Sequence, residues 1–335
     1  MAERSLIVAE VAQAHDGSLG TAHAFIDLAA ESGADVVKFQ MHFAAEESTP
    51  QEPWRIKFSL QDECRYDYWK RMEFTPDQWE GLYEHCQKVG IQFLCSPFSV
   101  KAVEILKDFE MPAWKVASGE VFSNAMLDAM SQVDLPFWVS TGMIGWTDIQ
   151  NVVQRISATG ADLTLFQCTS AYPTPPEKVG LNVIKEMRQR FGCKVGLSDH
   201  TGKIFSSLAA ATLGVSVIEV HLAMHKQAFG PDTVASLTPD ELKLMIEGVR
   251  EIEAMNANPV EKDELAEEFS AMRGLFTKSV VVRRNLKKGD VLTLEDLIEK
   301  KPGTGIPAHR LPEFVGKKLK LALRADTFLE EKHVA

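Results

Sequence analysis

The hydrophobic pattern of this chain is a series of short, continuous apolar runs separated by stretches of helical periodicity. Eight runs stand out: SLIVAE (5–10), DVVKFQ (35–40), IQFLCS (91–96), AWKVAS (113–118), FWVSTG (137–142), LTLFQC (163–168), KVGLSD (194–199) and VIEVHL (217–222). Most are apolar throughout instead of alternating, as expected of parallel strands covered on both faces. Between them, TAHAFIDLAAESG, TPDQWEGLYEHCQKVG and VKAVEILKDF read as helices. Eight β/α repeats within residues 1–255 predict an α/β fold of the TIM-barrel type. A doubly wound open sheet is the alternative, but no GxGxxG follows any strand.

Two segments break the rhythm. Residues 42–74 (HFAAEESTPQEPWRIKFSLQDECRYDYWKRMEF) have no clean period and are dense in tryptophan, tyrosine and arginine, which favours an ordered substrate loop. Residues 256–275 read as a charged helical linker. Beyond it, residues 276–335 carry short strands and the turn signals KKGD and PGTGIP, predicting a small separate β-rich module.

Composition narrows the function classes. A hydrophobic share of 45% and a charged share of 25% describe an ordinary globular chain with a real core. A net charge of −11 argues against nucleic acid as a partner. Five cysteines without CxxC spacing point to a reduced, cytoplasmic protein with no disulfide or zinc framework. The first apolar run is too short for a signal peptide and contains a glutamate, and no run reaches membrane-spanning length.

The chemistry sits where a barrel keeps it, at the carboxyl ends of the strands. Those ends supply Glu10, Lys38 with Gln40, Ser96, Lys115 with Ser118 and Glu120, Ser140, Ser170 with Tyr172, Ser198 with His200, and Glu219 with His221. Two lysines with several hydroxyls suit a phosphate or carboxylate. His200 and His221 end neighbouring strands, and Glu219 shares the face of His221 because strand side chains repeat every two residues. Two imidazoles beside oxygen donors suit a catalytic divalent ion such as Mn²⁺, Fe²⁺, Co²⁺ or Zn²⁺. Asp232, in FGPD, either binds substrate hydroxyls or caps the turn after Pro231.

AEVAQAHDG, GADVVKFQ, FLCSPFS, WKVASGE, VSTGM, QCTSAYPTPPEKVGLN, VGLSDHTG, VIEVHL and the late KKGDVLTLEDL and KKPGTGIP together resemble the sialic acid synthase family, in order and nearly end to end. The resemblance implies a TIM barrel followed by an antifreeze-like (SAF) domain, in a domain-swapped homodimer. It implies condensation of phosphoenolpyruvate with an N-acetylated hexose, N-acetylmannosamine or a diacetamido-trideoxyhexose, to a nine-carbon 2-keto sugar acid and phosphate. By position, His200 and His221 match metal ligands, with Mn²⁺ first and Mg²⁺ or Co²⁺ as other choices. Lys38, Ser96, Lys115, Ser118, Ser140, Ser170 and Ser198 match phosphoenolpyruvate-binding positions. Gln40, Tyr172, Glu219 and Asp232 match sugar contacts, while Glu10 and Glu120 match catalytic carboxylates.

The chain departs from the family pattern in three places. Ala12 and Ala14 replace a glycine and an asparagine of the first motif. Lys301 stands where an SAF arginine commonly reaches the N-acetyl group, and lysine lacks the planar fork of arginine. The 42–74 segment also reads differently. The competing readings are a metal-dependent pyruvate aldolase on the same barrel, which has no need of the phosphate-binding set, and a non-enzymatic carbohydrate-binding protein.

Overall fold

The computed structural model describes residues 4–335, and the chain parts into two compact units, the first ending at Asn258 and the second running Pro259–Ala335. In the first, eight parallel strands form the wall of a barrel: β1 (Leu6–Glu10), β2 (Val36–Met41), β3 (Gln92–Pro97), β4 (Trp114–Val116), β5 (Phe137–Ser140), β6 (Leu163–Cys168), β7 (Lys194–Asp199) and β8 (Val217–Leu222). The hydrogen-bonded order is β3-β2-β1-β8-β7-β6-β5-β4, and β4 packs beside β3 to close the ring. A two-residue strand, β9 (Ser236–Leu237), adds to the end of β8. This is a (β/α)8 barrel, and each of the eight apolar runs is one of its strands.

Helices cover the outside: α1 (Leu19–Glu31), then α2 (Ala44–Glu47) and α3 (Arg65–Met72) in the long β2–β3 connection, then α4 (Pro76–Val89), α5 (Val100–Leu106), α6 (Asn124–Met130), α7 (Trp146–Ser157), α8 (Leu181–Phe191), α9 (Phe205–Thr212) and α10 (Pro239–Ala257). Their ends are written in the sequence. α4 starts on a Thr75–Gln78 capping box with Pro76 in its first turn and stops at Gly90, whose φ of 78° favours glycine. Thr238, Pro239 and Glu241 repeat that start for α10. Losing such a cap costs about 1 kcal/mol. Phe25, Trp79, Phe93, Trp114 and Phe137 are buried in the shared core of strands and helices.

The second unit opens with two short helices, α11 (Lys262–Glu268) and α12 (Ser270–Phe276), where sequence predicts a helical linker. An antiparallel pair follows, β10 (Ser279–Val282) with β11 (Leu297–Lys300), over a small core of Val280, Val282, Leu292, Phe314 and Leu329. Gly303 of the PGTGIP turn lies so close to Thr277 that an added Cβ would stand 2.9 Å from the threonine Cβ. Among the described residues no helix is long and apolar enough to cross a membrane.

Candidate active site

The carboxyl ends of the strands open into a cavity of about 500 Å³. The two-residue period aims Lys38 with Gln40, Ser198 with His200, and Glu219 with His221 to one side. Parallel register then sets Glu10 beside Lys38 and His221, and Ser198 beside Glu219. Every barrel position proposed from sequence lines this cavity: Glu10, Lys38, Gln40, Ser96, Lys115, Ser118, Glu120, Ser140, Ser170, Tyr172, Ser198, His200, Glu219, His221 and Asp232. Lys301 belongs to the second unit, where its ammonium lies 5.2 Å from the centroid of the Phe276 ring.

On the cavity floor, charges alternate. Lys38 Nζ lies 2.8 Å from Glu10 Oε2 and 3.7 Å from Glu219 Oε2, and Lys115 Nζ lies 3.6 Å from Glu219 Oε1. The hydroxyl of Ser198 donates to Glu219 Oε1 at 2.9 Å, and Lys115 donates to Ser140. Lys38 reaches Ser96 at 3.4 Å. Burial pushes the Glu10 carboxyl up, and repulsion from Glu219 adds to this against the pull of Lys38. Burial opposes the charge of Glu219 too, but Lys115 and Lys38 outweigh it and hold its carboxyl low. Lys115 is lowered, chiefly by burial, whereas for Lys38 the flanking Glu10 and Glu219 overcome burial and raise it. The floor therefore holds one carboxylate firmly ionised and a second poised to take a proton.

Beside it lies a cleft of hydroxyls. Gly142 donates its backbone N–H to Ser118 Oγ at 2.9 Å, and a Cβ on this glycine would collide with Ser170 and come within 2.8 Å of Cys168 Sγ. Only glycine lets the VSTGM turn lie this close to Ser118 and Ser170, which follow β4 and β6.

The histidines form a third group. His200 and His221 have ring centroids 5.2 Å apart, with Tyr172 stacked on His200 at 4.3 Å and edge-on to His221. His200 Nδ1 lies 2.9 Å from the Thr169 carbonyl, a contact that fixes an Nδ1–H tautomer and leaves Nε2 with its lone pair. Burial lowers His221 and keeps its imidazole neutral, the form that binds metals. Among the described residues no three His, Cys, Asp or Glu side chains converge as a metal-holding group.

The 42–74 segment forms the cavity wall. Its ordered conformation rests on Arg71, whose guanidinium binds Asp62 at 2.8 Å and Asp16 at 2.7 Å, and on the mutually touching rings of Trp54, Phe58 and Tyr68. Arg55 lies 4.4 Å over the Tyr172 ring and pairs with Asp232 at 2.8 Å. Asp232 thus points its carboxylate at Arg55, and its side chain caps no turn. Glu120 stands on the turn after β4, its carboxyl raised to about 7 by burial and then by Glu47.

Sequence reasoning missed Gln13, His42 and Glu47. Gln40 donates to Glu10 at 2.5 Å and accepts from Gln13, while His42 places Nε2 3.2 Å from both glutamines and Nδ1 2.7 Å from Glu47. His42 is sandwiched between Trp69 and Phe98 at 4.2 and 4.4 Å. The signal for it was parity, since it continues the face of Lys38 and Gln40 one step beyond the strand. The departure at Ala12 is also physical: its φ of 46° is left-handed, where a side chain costs about 1 kcal/mol over glycine.

A profile of the NeuB family matches residues 25–261, and one of the SAF domain matches residues 277–335. The N,N'-diacetyllegionaminic acid synthase of Campylobacter jejuni is 32% identical over 98% of this chain and 100% of its own. The human N-acetylneuraminate-9-phosphate synthase is 33% identical over 97% of this chain and 91% of its own. Among solved structures, an N-acetylneuraminic acid synthetase from Leptospira borgpetersenii superposes with a TM-score of 0.71 at 25% identity, covering 81% of this chain and 92% of that one. With barrel, strand-end chemistry and both profiles in agreement, the chain belongs to the NeuB family and ends in a SAF domain.

Proposed function

We propose that this protein condenses phosphoenolpyruvate with an N-acetylated hexose to a nine-carbon 2-keto sugar acid, releasing phosphate. The observation that carries the reading is the floor: two buried lysines interleaved with two buried carboxylates and a glycine-backed cleft of serines, beside a pair of histidines. Lys38, Lys115 and the hydroxyls of Ser96, Ser118, Ser140, Ser170 and Ser198 offer a carboxylate and a phosphate compact cations and neutral donors. The named relatives all make sugar acids of this class.

Roles follow from the environments. Tyr172, Gln40 and Asp232 face the acceptor and orient its open-chain aldehyde toward C3 of phosphoenolpyruvate. As the new carbon–carbon bond forms from the enol π pair, positive character grows at C2, and the ionised Glu219 faces it from the floor. Glu10 takes a proton from the water that adds at C2, and the tetrahedral intermediate then expels phosphate to leave the ketone. His200 Nε2 and His221 would hold a divalent ion, Mn²⁺ first. Such an ion supplies Lewis-acid polarisation of the aldehyde oxygen.

The test is phosphate release from phosphoenolpyruvate with Mn²⁺ and N-acetylated hexoses, with EDTA and His200→Ala as controls. Release lost in both controls is expected. Folded, metal-supplied protein that releases none with any hexose would refute the assignment. The relatives divide on the acceptor, since one is named for a product bearing a phosphate ester and another for a product without one.

A further inference from the structure

We infer, resting on the condensation reading above, that His42 is a positioning residue for this reaction. With Glu47 behind it, its imidazole orients the amides of Gln13 and Gln40, and through them holds the base Glu10. The inference comes from the order of donors and acceptors along one chain of side chains. His42 Nδ1 lies 2.7 Å from Glu47 Oε1, so the carboxylate takes the Nδ1–H and Nε2 is left with its lone pair. That lone pair calls for a donor, and Gln13 Nε2 supplies it at 3.2 Å. The same amide nitrogen gives its other hydrogen to Gln40 Oε1. Gln40 is thereby left with its nitrogen on the far side, where it donates to Glu10 Oε1 at 2.5 Å.

The chain runs in one direction because both of its ends accept. Turning the Gln40 amide over would set its carbonyl oxygen against the Glu10 carboxylate, and turning Gln13 would set an oxygen against His42 Nε2. A second proton on the imidazole does not reverse this, since Nε2–H would then donate to Gln40 Oε1, also at 3.2 Å. Glu10, Gln13 and His42 are buried, where a polar group left without a partner is costly. The imidazole is itself held, sandwiched between Trp69 and Phe98 at 4.2 and 4.4 Å, which fixes where Nε2 points. A ring that only filled this slot would have no use for a carboxylate on one nitrogen and an amide on the other.

The closing experiment measures steady-state phosphate release by the full chain with phosphoenolpyruvate and Mn²⁺. The acceptor is N-acetylmannosamine or a 2,4-diacetamido-2,4,6-trideoxyhexose, whichever the wild type uses. His42→Phe keeps an aromatic ring in the slot and removes both nitrogens, while His42→Gln gives up the ring and returns an amide to the chain. His42→Phe is expected to lower kcat about 10–100-fold with the KM for phosphoenolpyruvate unchanged, and His42→Gln to recover most of that loss. Packing alone would give the opposite order. Glu47→Leu acts from the outer end of the chain and serves if the slot tolerates no substitution. It is expected to lower kcat several-fold, and to lower it no further when added to His42→Phe. Wild-type kcat in folded His42→Phe or Glu47→Leu would overturn the inference and leave the reaction standing. So would His42→Gln no faster than His42→Phe, or losses that multiply in the double variant. No release by the wild type with any acceptor would refute the reaction itself, and the inference with it.

Discussion

On the floor of the cavity Lys38 and Lys115 are pressed between Glu10 and Glu219, with every side chain at most 5% exposed, whereas on the wall Arg55 and Arg65 meet Asp232 and Glu52 with 43% and 26% of their side chains open to solvent. The same chemical pair has different consequences in the two places. A buried charge left without its partner costs several kcal/mol, so the floor residues cannot be exchanged singly. An exposed pair is worth about 0–1 kcal/mol, so the wall can change composition with little effect on the fold. The floor is therefore suited to the invariant part of the chemistry, and the wall to choosing what is offered to it.

The largest effect that would break this contrast is on the floor. Lys38→Met leaves Glu10 and Glu219 facing one another and is expected to cost about 3–5 kcal/mol in urea denaturation and to abolish phosphate release. Arg55→Ala, measured the same way, is expected to lose less than about 1 kcal/mol. Equal losses from the two variants would show that the floor is no more tightly coupled than the wall.

This contrast also explains what the sequence could reveal. Strands β6, β7 and β8 begin and end where their apolar runs do, and parity along a strand is enough to place Glu219 with His221 or Lys38 with Gln40 in one cavity. Floor residues were legible because a strand transmits direction from one residue to the next. Wall residues were not, since Arg55 reaches Asp232 across 177 positions of sequence and only the fold of the connecting loop brings them together. The loop was readable as ordered from its aromatic content, but not its pairings. His42 falls between: it sits one step past the end of β2, where parity still holds but the run no longer marks it, whereas Gln13 lies in the turn after β1, which no strand period reaches.

A smaller effect tests how the wall is anchored. Arg71 ties α3 to Asp62 and to Asp16 on the loop after β1, and Asp62 is buried. Arg71→Ala leaves Asp62 with Ser59 as its remaining side-chain partner, at 2.6 Å, and is expected to cost about 2 kcal/mol. If the wall serves the acceptor alone, steady-state kinetics will show the acceptor KM raised with the phosphoenolpyruvate KM unchanged. A rise in both would mean that the wall also shapes the floor.

The smallest effect lies where floor and wall meet. Glu120 is half-buried on the rim, and burial, then the charge of Glu47, raises its carboxyl from 4.5 to about 7. In the unfolded chain the proton is lost near the ordinary value, while the folded chain keeps it to higher pH. The folded state thus binds more protons between about pH 4.5 and 7, and stability falls as pH rises through that window, with the full cost present above it. Glu120→Gln has no proton to lose. Relative to wild type, it is expected to gain about 1–2 kcal/mol between pH 5 and pH 8, after discounting for solvent screening. Urea midpoints of the two proteins at both pH values measure the difference. Glu47→Gln should recover part of the same gain by removing the repulsion while leaving the burial in place. Parallel profiles for wild type and Glu120→Gln would place the carboxyl in free solvent and separate the rim from the wall, whereas a gain shared by both variants would make Glu120 the point at which the wall acts on the chemistry below it.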